Sequence, residues 1–154
     1  MRQKQTDIFR KAADLVARRP HFVKELEHKL LQREYDKESI QKVLQDFQNK
    51  GFLNDKETGE LYIQELKRKR CSRYDVIGRL VERGLQRGLA EELTRMFFLE
   101  NEEREAIKYL LTKKRFSLNN IEGVKKASDF FFRKGFNAQL VREIIGNKGD
   151  YTED

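Results

Sequence analysis

Residues 80–93 read LVERGLQRGLAEEL and residues 131–144 read FFRKGFNAQLVREI. Set one above the other, Leu80, Gly84, Leu85, Leu89 and Leu93 face Phe131, Gly135, Phe136, Leu140 and Ile144, each pair 51 positions apart. Five matches at one offset mark an internal repeat, and a period of this length is the signature of stacked helical units. In both copies a glycine follows a basic last turn and precedes an apolar residue, which predicts a helix ending in a left-handed turn. Lys50-Gly51-Phe52 has the same form, so Gly51, Gly84 and Gly135 are all expected at positive φ.

Working outward, punctuation divides the chain into nine helical stretches. Ile8, Ala12, Leu15 and Val16 share one face of the first, which Pro20 ends. The second runs from about Phe22 to Gln32. Asp36 caps the third, whose Ile40, Val43, Leu44 and Phe47 have i, i+3, i+4, i+7 spacing. Asn54 and Asp55 open the fourth, and Ser72-Arg73-Tyr74-Asp75 opens the fifth in capping-box form. A sixth carries Leu89, Leu93 and Phe97. Asn101 with Glu102 and Glu103 opens a seventh, the eighth ends at Gly135, and the ninth spans about Ala138 to Ile145. In groups of three these give an all-α, elongated tandem array of three three-helix repeats at 6–51, 52–100 and 101–147, followed by a flexible acidic tail at 148–154. The first repeat fits least tightly, with Leu30, Tyr35, Ile40 and Leu44 matching at offsets of 49 or 50.

Composition agrees. Of 154 residues 38% are charged and 38% hydrophobic, against about 25% and 45–50% in ordinary domains. Helices presenting one narrow apolar face each accommodate that balance, whereas a compact sphere does not. One proline and nine glycines oppose an all-β reading. No apolar run approaches the roughly 18 residues of a membrane span. The amino terminus lacks the apolar core of a signal peptide, so a cytoplasmic protein is expected; a monomer is expected as well.

The formal charge is +7, which favours an acidic partner such as nucleic acid or an acidic protein surface. The leading helix of each repeat ends in cations: Arg18-Arg19, then Lys67-Arg68-Lys69-Arg70, then Lys113-Lys114-Arg115. Residues 67–87, which add Arg73, Arg79, Arg83 and Arg87, hold eight basic and two acidic side chains. Residues 113–134, which add Lys125, Lys126, Arg133 and Lys134, hold seven and two, whereas residues 88–112 hold three basic and six acidic. Cations in a last turn also serve the helix dipole, but their recurrence singles out these seventeen residues as a partner or DNA surface. The run at residues 67–70 is expected to be largely solvent-exposed. Phe131 and Phe136 occupy core positions of the repeat, and three consecutive helical residues cannot all face inward. Phe130 or Phe132 is therefore expected to be exposed, where an aromatic among cations can stack a base.

Catalytic signals are missing, and neither a cofactor nor a metal is expected. There is no phosphate-binding glycine loop, no nucleophile elbow and no Cys or His cluster; His21 and His28 are the two histidines. The carboxylates of the acidic stretch alternate with cations as on a solvated helix face. The lone Cys71 lies beside Lys69 and Arg70, neighbours that would lower its pKa, yet it reads as an ordinary free thiol.

Arg18-Arg19, Glu25-Leu26, Leu30, Gly51-Phe52-Leu53-Asn54-Asp55, Leu80, Arg83-Gly84-Leu85 and Arg133-Lys134-Gly135-Phe136, in this order and spacing, resemble the RecX family of recombination regulators over about residues 8–146. The resemblance implies tandem three-helix repeats in a curved, elongated molecule. It also implies binding to the RecA recombinase filament on single-stranded DNA, inhibition of filament growth, a part in DNA repair and the SOS response, and no enzymatic activity. Departures from the family pattern stand at Phe22, usually Ser or Thr, at Asn54, at Thr58-Gly59, at Arg70-Cys71-Ser72, where a glycine is usual, and at Arg79. The leading alternative is direct DNA binding by a helix-turn-helix-like module or transcription regulator.

Overall fold

The structure, a computed structural model, describes the backbone of residues 2–149 and the side chains of residues 5–146. Among the described residues there are nine α-helices and no strand: α1 (Arg2–Arg18), α2 (Val23–Gln32), α3 (Lys37–Asn49), α4 (Asp55–Arg68), α5 (Arg73–Glu82), α6 (Arg87–Phe97), α7 (Glu100–Lys114), α8 (Ile121–Arg133) and α9 (Ala138–Gly149). No described helix is long and apolar enough to cross a membrane.

Local chemistry sets the boundaries. Asp36 accepts from the Ser39 N–H at 3.1 Å, Asn54 from Glu57 at 3.1 Å, Ser72 from Asp75 at 3.0 Å and Asn120 from Gly123 at 2.7 Å, each satisfying a donor that the first helical turn leaves open. One start is capped without a hydroxyl and another differs from expectation. Phe22, buried, precedes α2 without a hydroxyl, and Glu25 reaches back to its N–H at 3.3 Å. The seventh helix starts at Glu100, not at Asn101, because Leu99 adopts extended backbone and Glu102 accepts its N–H at 2.8 Å. The ninth helix continues past Ile145 through Gly146, since an interior glycine costs a helix only about 1 kcal/mol. Residues 150–154 of the expected tail lie outside the described residues.

Helix ends follow one pattern. Gly51, Gly84 and Gly135 have φ of 79°, 107° and 83°, as the repeat predicts. At Gly84 the N–H donates to the Val81 carbonyl and Leu85 N–H to that of Leu80; at Gly135 the partners are Phe132 and, for Phe136, Phe131. Glu34 and Arg70 make the same pair of bonds at φ of 65° and 60°, and Arg115 ends α7 at 54°. These three carry a Cβ in a region that glycine enters freely and other residues enter at a cost.

The chain gathers into two compact units, Met1–Tyr62 with Leu80–Ala90, and Ile63–Arg79 with Glu91–Asp154. Helices α4, α5 and α6 each begin in one unit and end in the other. The first unit holds a core of Ile8, Ala12, Leu15, Leu26, Leu30, Ile40, Val43, Leu44, Phe47 and Leu53. Here Gly84 is seated on the start of α2, where an added Cβ would stand 3.2 Å from Lys24 Cβ and 3.3 Å from Glu25 N. The second unit is built on Ala106, Ile107, Leu111, Ala127, Phe131, Phe136, Leu140, Val141 and Ile145. Its Gly135 is seated on the start of α5 in the same manner, 2.9 Å from Tyr74 Cδ1 and 3.1 Å from Ser72 Oγ by the same measure. The 51-residue offset therefore has a geometric counterpart: the glycine that closes one middle helix fits against the opening of the middle helix before it. The core extends through Phe116, Phe130, Phe131 and Phe136, whose ring centroids are 5.1–5.5 Å apart in successive pairs.

Candidate functional site

The seventeen cations expected at a partner surface fall into distinct environments. Arg19 forms a two-pronged bond to Glu25, 3.1 and 2.6 Å, and thereby braces the start of α2. Lys67 is the exception within its run: its side chain is only 18% exposed, and its ammonium bonds Glu102 at 2.5 Å and the Phe97 carbonyl at 3.0 Å. Burial would raise the carboxyls of Glu25 and Glu102, but the cations bonded to them prevail and hold both below the usual carboxylate range. Lys69, Arg79 and Lys126 pair along their own helices with Glu65, Asp75 and Glu122 at 3.1, 3.1 and 3.5 Å. Arg83 stacks at 3.8 Å from the Tyr62 ring centre, and Arg73 is half-buried beside Glu103. Arg18, Arg68, Arg87, Arg115, Lys125 and Arg133 are exposed.

The remaining four converge in the second unit. Arg70 and Lys113 lie 4.3 and 5.5 Å from the centre of the Tyr109 ring, while Lys114 and Lys134 lie 5.6 and 6.0 Å from that of Phe130. Lys113 and Lys114 are consecutive, so the two aromatic platforms are joined through the end of α7. Among the described residues none of these four cations pairs with a carboxylate. A cation over a ring face keeps its outward side free, so the arrangement presents fixed, unneutralised charge. Such a face recognises phosphate or a cluster of carboxylates.

Tyr109 carries no expectation from the sequence, and Phe130, expected as a candidate for stacking a base, serves instead as a platform for cations; each stands four residues before a lysine, one helical turn away. The acidic stretch reads from the sequence as a solvated face. Glu103 in that stretch is 2% exposed, accepts the Asn137 N–H at 3.2 Å, and has its carboxyl pushed up by burial against the opposing pull of Arg73. Of the two phenylalanines left open, Phe132 is the exposed one, at 41%, and Phe130 packs in the aromatic row. Burial pushes the Cys71 thiol up rather than down, outweighing its basic neighbours, so it is a poor nucleophile. His21 is buried with Nδ1 2.9 Å from the Arg19 carbonyl and Nε2 2.8 Å from the Lys29 ammonium. A lysine on one ring nitrogen leaves no lone pair for a metal.

Comparison with known proteins converges on one family. The family described as RecX, first three-helix domain, matches residues 9–47. A Regulatory protein RecX of Bacillus subtilis is 29% identical over 149 residues, 95% of this chain and 56% of that protein. One of Caldanaerobacter subterraneus subsp. tengcongensis is 21% identical over 131 residues, 85% of this chain and 65% of that protein. The chain thus spans between about half and two thirds of these relatives' length. The crystal structure of RecX from Lactobacillus salivarius superposes with a TM-score of 0.85 at 17% identity, covering 97% of this chain and 99% of that one. A second crystal structure, of regulatory protein RecX, gives 0.78 at 15% identity, covering 94% and 72%. In its opening three-helix domain, in the relatives whose length it spans by about half to two thirds, and in its helical fold, the chain is similar to RecX proteins.

Proposed function

We propose that this protein is a non-enzymatic regulator that binds the RecA nucleoprotein filament on single-stranded DNA and restrains its growth. The observation that carries this reading is the face of Arg70, Lys113, Lys114 and Lys134, four cations held on Tyr109 and Phe130 without carboxylate partners among the described residues. In a protein whose relatives are named regulatory proteins, such a face suits a partner that combines DNA phosphate with acidic protein surface. A monomer lying along the filament groove in the cytoplasm would bridge successive subunits, oppose their rearrangement and obstruct incoming ones.

The test is RecA's DNA-dependent ATP hydrolysis with substoichiometric protein, comparing wild type with a variant carrying Glu at positions 70, 113, 114 and 134. Inhibition by wild type and its loss in the variant, with an unchanged melting temperature, is the expected result. Equal inhibition by both would sink the proposal. Direct binding of DNA alone is the second reading, since the same cations fit phosphate; affinity for naked duplex that equals affinity for the filament and falls steeply with salt would favour it.

A further inference from the structure

The second unit contains a cleft of about 650 Å³, within the range of sites that take small organic groups. Arg73 and Tyr74 from the start of α5, Thr94 and Arg95 from α6, Glu103 from α7 and Phe132 from the end of α8 line it. It is separate from the Tyr109 and Phe130 platforms. Thr94 is 1% exposed, and among the described residues its Oγ1 has no hydrogen-bond partner; the buried Nε–H of Arg73 has none either. Unpaired polar groups of this kind are unfavourable until an acceptor reaches them. Glu103 does not supply that acceptor to Thr94, since its carboxylate serves Asn137 N–H and the Arg73 charge. At the rim, Tyr74 is 73% exposed and Phe132 41% exposed, with the Arg142 guanidinium 6.0 Å from the Phe132 ring centre. Arg95 is exposed and, among the described residues, without a carboxylate partner.

We propose that this cleft receives an unpaired base of single-stranded DNA, stacked on Tyr74 and Phe132, with an acceptor edge of the base turned toward Thr94 and Arg73 and the flanking phosphates at Arg95 and Arg142. The open groups of Thr94, Arg73, Arg95, Tyr74 and Phe132 fit one ligand: Thr94 and Arg73 can both donate, the Arg95 charge is positive, and the exposed apolar surface is flat and aromatic, while the lining carboxylate of Glu103 is taken up by Asn137 and that of Glu91 has a partner of its own. A carboxylate side chain of a partner protein would meet the first two and leave both rings uncovered. Base stacking on aromatic residues is sequence-tolerant, which suits a protein that meets any strand. The inference rests on the reading that the chain works on single-stranded DNA, and it locates the base contact, whereas the four-cation face supplies phosphate contact.

The test uses the full chain and two labelled strands of equal phosphate number, oligo(dT) and an abasic backbone, with affinity read by fluorescence anisotropy across salt concentrations. Wild type is expected to prefer oligo(dT) by about tenfold, the effect of one stacked base. Tyr74→Ala with Phe132→Ala should bring that ratio near unity with the salt dependence and melting temperature unchanged, because both rings are exposed. Thr94→Val, of similar shape, should weaken oligo(dT) severalfold and leave the abasic strand alone. Lys113→Glu with Lys114→Glu should weaken both strands equally. Equal affinity of wild type for the two strands overturns the proposal. So does a Tyr74, Phe132 double variant that keeps its base preference but loses filament binding, which would assign the cleft to a protein side chain. A base preference in a protein that leaves RecA's ATP hydrolysis untouched would uphold the cleft and refute the regulatory reading instead.

Discussion

Ser72 and Lys134 meet through one hydroxyl: Ser72 Oγ donates to the Lys134 carbonyl at 2.8 Å while accepting from the Asp75 N–H at 3.0 Å. A single side chain thus caps the start of α5 and satisfies a carbonyl at the end of α8, groups that each helix leaves open. It also holds Gly135 against Tyr74, at the cleft.

Removing that hydroxyl exposes two unmet needs at once. Ser72→Ala should cost about 2–3 kcal/mol, about 1 for the lost cap and the rest for a part-buried carbonyl without its donor. Urea denaturation measures this. A cost below about 0.5 kcal/mol would show that water replaces the hydroxyl on both sides.

Glu34, Gly84 and Gly135 end the three middle helices α2, α5 and α8 in the same left-handed turn, yet their substitutions should have opposite signs. Glu34→Gly relieves the Cβ penalty and should stabilise by about 1 kcal/mol, because Glu34 is exposed. Gly84→Ala should cost more than about 1 kcal/mol, since φ of 107° and a neighbour at 3.2 Å both oppose a Cβ. Thermal melts of the two variants shifting in the same direction would refute the common geometry.

Stability should fall with acid in two steps. Burial holds the His21 imidazole neutral and its pKa below the ordinary 6.5, against the pull of the Arg19 carbonyl and Glu25. Unfolding therefore takes up a proton as pH drops below 6.5, and stability declines until the folded ring is protonated too. Glu25, held below its ordinary 4.5, adds a second loss as pH falls through that range. His21→Gln should flatten the first step and leave the second. A first step that survives in the variant would place its origin elsewhere.

The run at 67–70 divides in its response to charge reversal. Lys67→Glu sets a carboxylate against Glu102 and the Phe97 carbonyl and should cost on the order of 1–2 kcal/mol, more than a surface pair is worth. Arg68→Glu and Arg70→Glu should each stay within about 0.5 kcal/mol. Circular dichroism melts distinguish them, and equal melts for all three would mean Lys67 is a surface residue after all.

The helices and their glycine endings were legible because they depend on local chemistry: Asp36, Asn54 and Ser72 cap within three residues, and Gly84 and Gly135 are the residues a left-handed ending favours. Arg70 and Arg115 adopt the same conformation with no sequence signal, since the turn around them, not their own propensity, imposes it. The candidate face was half legible. Lys113 and Lys134 announce their aromatic platforms one turn away, but Lys67 meets Glu102 across 35 positions, and Glu103 is buried by the turn at Asn137, 34 positions on. Alternating charge along a chain does not say which cations the fold neutralises.

That neutralisation bears on timing as well as strength. With Lys67, Lys69, Arg79 and Lys126 held by carboxylates, the field that reaches beyond the second unit issues from its exposed cations without such partners among the described residues, including Arg70, Lys113, Lys114 and Lys134, together with Arg68, Arg115, Lys125 and Arg133. A localised field orients a molecule before it touches its partner, and dissolved ions screen it beyond about 10 Å at 0.1 M. Added salt should then slow arrival while leaving the lifetime of the formed complex nearly unchanged, and that lifetime would belong to the short-range contacts that salt does not reach.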